Sequence, residues 1–199
     1  MKYLITLAAL LLLLTSCNKE KNNAINAVTP PDTIVANAPG LVIDSLHTGL
    51  AAPFSTLDFD RVVACDYDGG PDGAALIIGS DGTPNASVKK AVTLNPQQVK
   101  SITGILGDPK TYGEPLADCF NPHMGLVFYK KDVVVLHISI CIECSQLKSS
   151  MAIPAMVRPH TDPKTGKELF GEGFSDAGQQ KLEALCASFK FSHCSGQPE

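Results

Sequence analysis

The stretch MGLVFYKKDVVVLHISI, residues 124–140, constrains the fold more than any other part of the chain. Two arms rich in β-branched and aromatic residues flank a polar Lys-Lys-Asp, the pattern of a β-hairpin turning at Lys130 to Asp132. Cysteines lie at both ends of it. Cys119 precedes the first arm, and a Cys-x-x-Cys, Cys141 and Cys144, closes the second. A three-residue loop sets Tyr129 opposite Val133, and counting back brings Cys119 opposite Glu143, beside both cysteines of the motif. Paired strands run under about 5 Å apart, within the roughly 5.5 Å Cα separation that a disulfide spans. The expectation is a bridge from Cys119 to Cys141 or Cys144 that staples the base of the hairpin. The remaining cysteine then bonds to Cys65 or stays buried. Alternation also puts Cys119, His123, His137 and Cys141 on one face. A slip of one residue would move half of them to the other face, and Asn121-Pro122 interrupts the first arm.

The oxidation state of these sulfurs depends on the compartment, which the first residues address. MKYLITLAALLLLLTSC carries one cation, Lys2, ahead of an apolar run from Leu4 to Leu14. That run is short of the roughly 20 residues a spanning helix needs and reads as the core of a secretory signal. The ending LLTSC resembles the bacterial lipobox, in which a small residue precedes the cysteine that is lipidated and becomes residue one of the mature chain, here Cys17. Residues 18–40, rich in Asn, Ala, Thr and Pro, cannot bury enough apolar surface to offset their ordering entropy and read as a tether. A coil of that length spans on the order of 25–30 Å. The expected organisation is a signal peptide over 1–16, lipidated Cys17 with a flexible tether over 17–41, and one domain over 42–199. Asn18, not Asp, follows the lipidated cysteine. By resemblance to enterobacterial sorting this implies the outer membrane, with the domain facing the periplasm or the cell surface. The expected partner is thus a membrane, held through the anchor.

A formal net charge of −4 with no basic run beyond two adjacent lysines excludes the electrostatic footprint of a nucleic-acid binder. Of the 7 cysteines, six remain once Cys17 is set aside. An even number in an exported chain points to disulfides, because that compartment is oxidising.

Around the hairpin, FDRVVACDYDGG and GAALIIGSDG predict strands over Arg61 to Asp66 and Ala74 to Gly79, joined by a Gly/Asp turn. SVKKAVTL is a third strand candidate. In LNPQQVKSITGILGDP, Asn95 caps a helix, Pro96 fits its first turn, and Gln98 completes a capping box. Val99, Ile102 and Leu106 form its apolar face, and Gly107 followed by Pro109 ends it. Ser175 caps a second helix with Leu182, Leu185, Cys186 and Phe189 on one face. Strands, helix, hairpin and helix in that order predict an α+β domain, an antiparallel sheet with two helices packed on one face and braced by disulfides.

The segment CFNPHMGLVFYKKDVVVLHISICIEC resembles an uncharacterised group of bacterial exported lipoproteins. Their shared pattern is a Cys, a nearby Pro, an FY strand, and a following strand ending in Cys-x-x-Cys. The resemblance covers roughly residues 60–190. It implies a shared fold and cysteine site, and no activity comes with it.

The motif itself has several chemistries. Covalent haem attachment needs a His after the second cysteine, and Ser145 stands there. A thioredoxin-like dithiol sits at the head of a long helix, whereas only SQLKSSMAI separates Cys144 from Pro154 and the chain has no Trp. Zinc or copper would need several ligands converging, and Cys119, Cys141 and Cys144 with His123 or His137 supply the right donor types. An oxidising compartment favours the disulfide reading over free thiolates. Asp66, Asp68 and Asp72 resemble a calcium loop, but Gly70 and Ile77 occupy the fifth and twelfth positions where ligands belong. That segment reads as a solvated turn. Cys186 and Cys194 either pair with each other, or Cys186 packs as a core residue or joins Cys65. No hydrolase, metalloprotease or phosphate-loop motif occurs. The sequence-level expectation is an envelope lipoprotein acting as a non-catalytic binding or structural module without a cofactor. The rivals are a metal-binding lipoprotein and a thiol–disulfide redox protein using Cys141 and Cys144.

Overall fold

The computed structural model describes residues 47, 49–70, 76–161, 166 and 168–195. The segments expected to be a signal peptide and a tether, Cys17, and Asp72 lie outside the described residues. In chain order the strands are β1 (Arg61–Asp66), β2 (Lys90–Thr93), β3 (Tyr112–Glu114), β4 (Met124–Lys130), β5 (Val133–Cys141), β6 (Gln146–Ser149), β7 (Arg158–Thr161), β8 (Glu168–Gly171) and β9 (Gly173–Phe174). Among the described residues two full α-helices join them, α1 (Pro96–Gly107) after β2 and α2 (Asp176–Ser188) after β9. Five strands form one antiparallel sheet in the order β2-β1-β4-β5-β6, and β3-β9 and β7-β8 form two-stranded sheets. This is the α+β architecture, with both helices on one face of the sheet.

The β4–β5 hairpin is the centre of that sheet. Its turn holds two residues, not three. Lys131 and Asp132 have φ of 47° and 65°, the left-handed pair of a tight hairpin turn, and Lys130 faces Val133. The turn is held from outside, because the Lys131 amide donates to Asp60 and the Asp132 carboxylate accepts from Arg61 at 2.8 Å. An irregularity at Phe128/Tyr129 then shifts the register, so that Phe128 faces Leu136 and Val127 faces His137. The net displacement from the expected register is two residues. His137 and Cys141 share a face whatever the register, because they stand four residues apart on the one strand β5.

Pleating divides the sheet side chains cleanly. Val62, Ala64, Leu126, Phe128, Leu136, Ile138 and Ile140 point to the helix face and pack with Val99, Ile102 and Leu106 of α1 and Leu182 and Cys186 of α2. Phe128 stacks on Phe54 and meets Phe59 edge to face, the favoured ring geometries. Both sides of the capping box at α1 form: Asn95 Oδ1 accepts from the Gln98 amide, and Gln98 Oε1 accepts from the Asn95 amide, each at 2.9 Å. Ser175 caps α2 by accepting from the Gly178 amide. At the other end of α2, Lys90 Nζ donates to the Phe189 carbonyl at 2.7 Å, placing a cation where the helix leaves its carbonyls unpaired.

The opposite face carries a smaller cluster of Cys65, Tyr67, Ile77, Ile78 and Val127. Here the expected Ala74–Gly79 strand does not form in its described part. Residues 76–79 make only an isolated bridge, Ile78 to Pro84. Both edges of β1 are already taken, by β2 and β4, so this apolar run lies across the sheet instead of extending it. Gly125 makes the close approach feasible. A Cβ there would come 2.7 Å from Ile77 Cβ.

Candidate functional site

The sulfur chemistry gathers where β5 ends and turns into β6. Cys141 pairs with Gln146, and the four residues between them close a turn in which the Ser145 amide donates to the Ile142 carbonyl at 3.0 Å. Ser145 takes a φ of 51° to do so. The Gln146 side-chain amide reaches out to the carbonyls of Ala117 and Cys119 and docks the 117–120 segment against this turn. Cys119 is then joined to Cys144 by a disulfide, with Cα atoms 5.7 Å apart. Of the two partners left open for Cys119, the structure takes Cys144. Cys141 is the cysteine left over: it forms no disulfide and stays a buried free thiol, the second of the two fates expected for it.

The three cysteines differ sharply in exposure. Cys119 is exposed, while Cys141 and Cys144 are buried with Phe120 in a small apolar cluster. Lys148 Nζ sits 4.2 Å above the Phe120 ring, closing the outside with a cation–π contact. The Cys144 amide donates to Cys141 Sγ at 3.2 Å. Burial pushes the Cys141 thiol up from its ordinary value, and the amides of Asn121 and Cys144 pull against that shift without reversing it.

The second pair is Cys186–Cys194, with Cα atoms 5.4 Å apart. It folds the tail after α2 back onto the sheet. There the buried Asp66 carboxylate accepts from both the Ser192 amide and its hydroxyl at 2.9 Å. Cys65 is the other free cysteine among the described residues, and its burial pushes the thiol up to about 12.

The common face expected for Cys119, His123, His137 and Cys141 does not form. Strand β4 begins only at Met124, after Pro122, so Cys119 and His123 never enter the pleat. The His123 ring stacks on His193 at 4.2 Å and approaches the Tyr67 carbonyl. His137 lines a different feature, an open cleft of about 580 Å³ shared with Leu76, Ile78, Thr83 and Asn85. Its Nδ1 is buried without a hydrogen-bond partner among the described residues, and burial lowers its pKa. Two of the expected sulfur ligands are bonded to each other. Among the described residues, no group of three His, Cys, Asp or Glu side chains is arranged to hold a metal ion. In the Asp-rich turn, Asp68 accepts from the Gly70 amide within its own loop, while Asp66 is committed to Ser192.

Sequence reasoning missed two features. The His123–His193 stack and the Asp66–Ser192 tie join residues far apart in the chain, and no local pattern marks them. Which of Cys141 and Cys144 stays free was left open, since spacing alone treats the two alike. No protein-family model, curated protein or solved structure matches this chain.

Proposed function

We propose that this chain is a lipid-anchored protein of the bacterial envelope, seated on the outer membrane through Cys17, whose domain acts as a binding or structural module. The observation that carries this reading is the pair of disulfides, Cys119–Cys144 and Cys186–Cys194, in a chain whose first residues resemble a lipoprotein signal. Disulfides persist where the environment is oxidising. Anchoring through several acyl chains, at about 0.8 kcal/mol per buried methylene, holds a protein firmly. The His137 cleft is the concave feature that a bound partner would meet. Replacing Cys17 with Ser in the full-length precursor tests the anchor. Loss of lipid labelling and release from the membrane fraction support it; a Cys17→Ser protein that still requires detergent for extraction would sink it.

The zinc or copper reading belongs to the reduced form of the domain, because opening the Cys119–Cys144 bond returns three sulfurs to one corner. Counting thiols and assaying zinc and copper on one sample, purified without reductant or chelator, separates the two. Two thiols per chain with no metal supports the braced module. Four thiols with one equivalent of metal favours the metal reading.

A further inference from the structure

The bridge that braces the hairpin has a third cysteine beside it. Cys141 Sγ lies 3.2 Å from the amide nitrogen of Cys144, and only three covalent bonds separate that nitrogen from the Cys144 sulfur. We infer that Cys141 exchanges with the Cys119–Cys144 disulfide, delivering the exposed Cys119 thiol as a covalent capture site for a disulfide-bearing partner. The inference stands independently of the lipid anchor.

The exchange is balanced within the chain. Cys141 gives up its proton, and its thiolate attacks the Cys144 sulfur. A Cys141–Cys144 bond forms as the Cys119–Cys144 bond breaks, and the electron pair leaves on Cys119, which takes up a proton. One disulfide replaces another, so no oxidant is needed. In the second step the Cys119 thiolate attacks a disulfide of the partner, forming a mixed disulfide and expelling the partner's other sulfur as a thiolate.

The direction of the first step follows from where the sulfurs sit. Attack on Cys144 expels Cys119, which is exposed and can be solvated as an anion. Attack on Cys119 would expel Cys144 into the apolar cluster around Phe120, where a thiolate is poorly stabilised. Exchange is faster when the leaving thiolate is the better stabilised one. Segment 115–119 is exposed throughout and is not part of a strand. The exchange therefore releases Cys119 without breaking the sheet, although the Gln146 bonds to this segment must loosen. The same Cys-x-x-Cys turn that hides Cys141 thus makes it a resolving sulfur.

The test uses the purified mature protein and a small aromatic disulfide that releases a coloured thiolate. After reaction under native conditions the sample is quenched in acid, digested with trypsin and mapped by mass spectrometry. Lys130, Lys131 and Lys148 separate Cys119 from Cys141 and Cys144, which share one peptide. The expected product carries the probe on Cys119, with the Cys141/Cys144 peptide lighter by two hydrogens. Its rate should rise about tenfold per pH unit while Cys141 remains mostly protonated. Cys119 labelling should vanish in Cys141→Ser and persist in Cys65→Ser. Wild-type protein whose Cys119 stays unlabelled and bonded to Cys144 would overturn the inference, as would equal Cys119 labelling in folded Cys141→Ser. If that variant misfolds, Cys141→Ala serves, and the wild-type linkage map decides on its own.

Discussion

Removing the Cys119–Cys144 bridge should destabilise the domain through its unfolded state more than through its folded one. The double variant Cys119→Ala/Cys144→Ala leaves the hairpin intact, because β4 and β5 pair along their whole length and Gln146 still holds the carbonyls of Ala117 and Cys119. What changes is the freedom of the denatured chain. The two cysteines are 25 positions apart. On the chain-entropy relation, closing a loop of about 25 residues removes roughly 12 cal/mol/K, or about 3.5 kcal/mol at 25 °C. Urea unfolding at neutral pH, followed by far-ultraviolet circular dichroism, measures the loss directly. With a slope of about 2 kcal/mol/M the midpoint should fall by roughly 1.5–2 M. The slope itself should rise, since an uncrosslinked chain exposes more surface on unfolding. A loss below about 1 kcal/mol would refute the loop-entropy account. So would native circular dichroism that collapses without denaturant, which would make the bridge a condition for the fold.

Other consequences can be measured on the same preparation. Gly125→Ala drives a methyl group into Ile77 and should cost about 1–3 kcal/mol in the same urea assay through overpacking. Asp66→Ala removes the buried acceptor of the Ser192 amide and hydroxyl; because Ser192 itself is exposed and water can replace the lost bonds, a loss of about 1 kcal/mol is expected, together with faster amide exchange at Ser192. Cys65 stays protonated in the folded state up to about 12 against an ordinary value of 9.0. The unfolded chain therefore sheds this proton first, and the stability it confers is complete below pH 9 and lost as pH rises from 9 toward 12. By pH 10 the loss is about 1.4 kcal/mol, and Cys65→Ala should flatten the pH 9–10 part of the stability curve. His137 behaves oppositely as a base with a lowered folded pKa. Its contribution is present above about 6.5 and is lost as pH falls through the folded value, so His137→Gln should reduce acid sensitivity below pH 6.5.

Local chemistry made several elements legible from sequence alone. The Asn95/Gln98 capping box, the Ser175 cap and the apolar faces of both helices depend on residues within one or two turns of each other, so a single segment contains all the information needed. The hairpin arms were legible for the same reason. What spacing could not decide was its register. A two-residue turn and an irregularity at Phe128/Tyr129 each displaced the count by one residue and so changed which residues face each other across the hairpin, while β4 starts only at Met124 and leaves Cys119 and His123 outside it. The run Leu76–Gly79 has the composition of a strand. It lacks a ladder because the edges of β1 were already occupied by β2 and β4, segments remote in the chain. The disulfide followed the same rule. A start that resembles an export signal and an even cysteine count made bridges expected, but whether Cys119 meets Cys144 or Cys141 is a matter of where a four-residue turn and the Gln146 amide hold three sulfurs. Propensity and capping act between chain neighbours; pairing and burial act between whichever surfaces the packed sheet brings together.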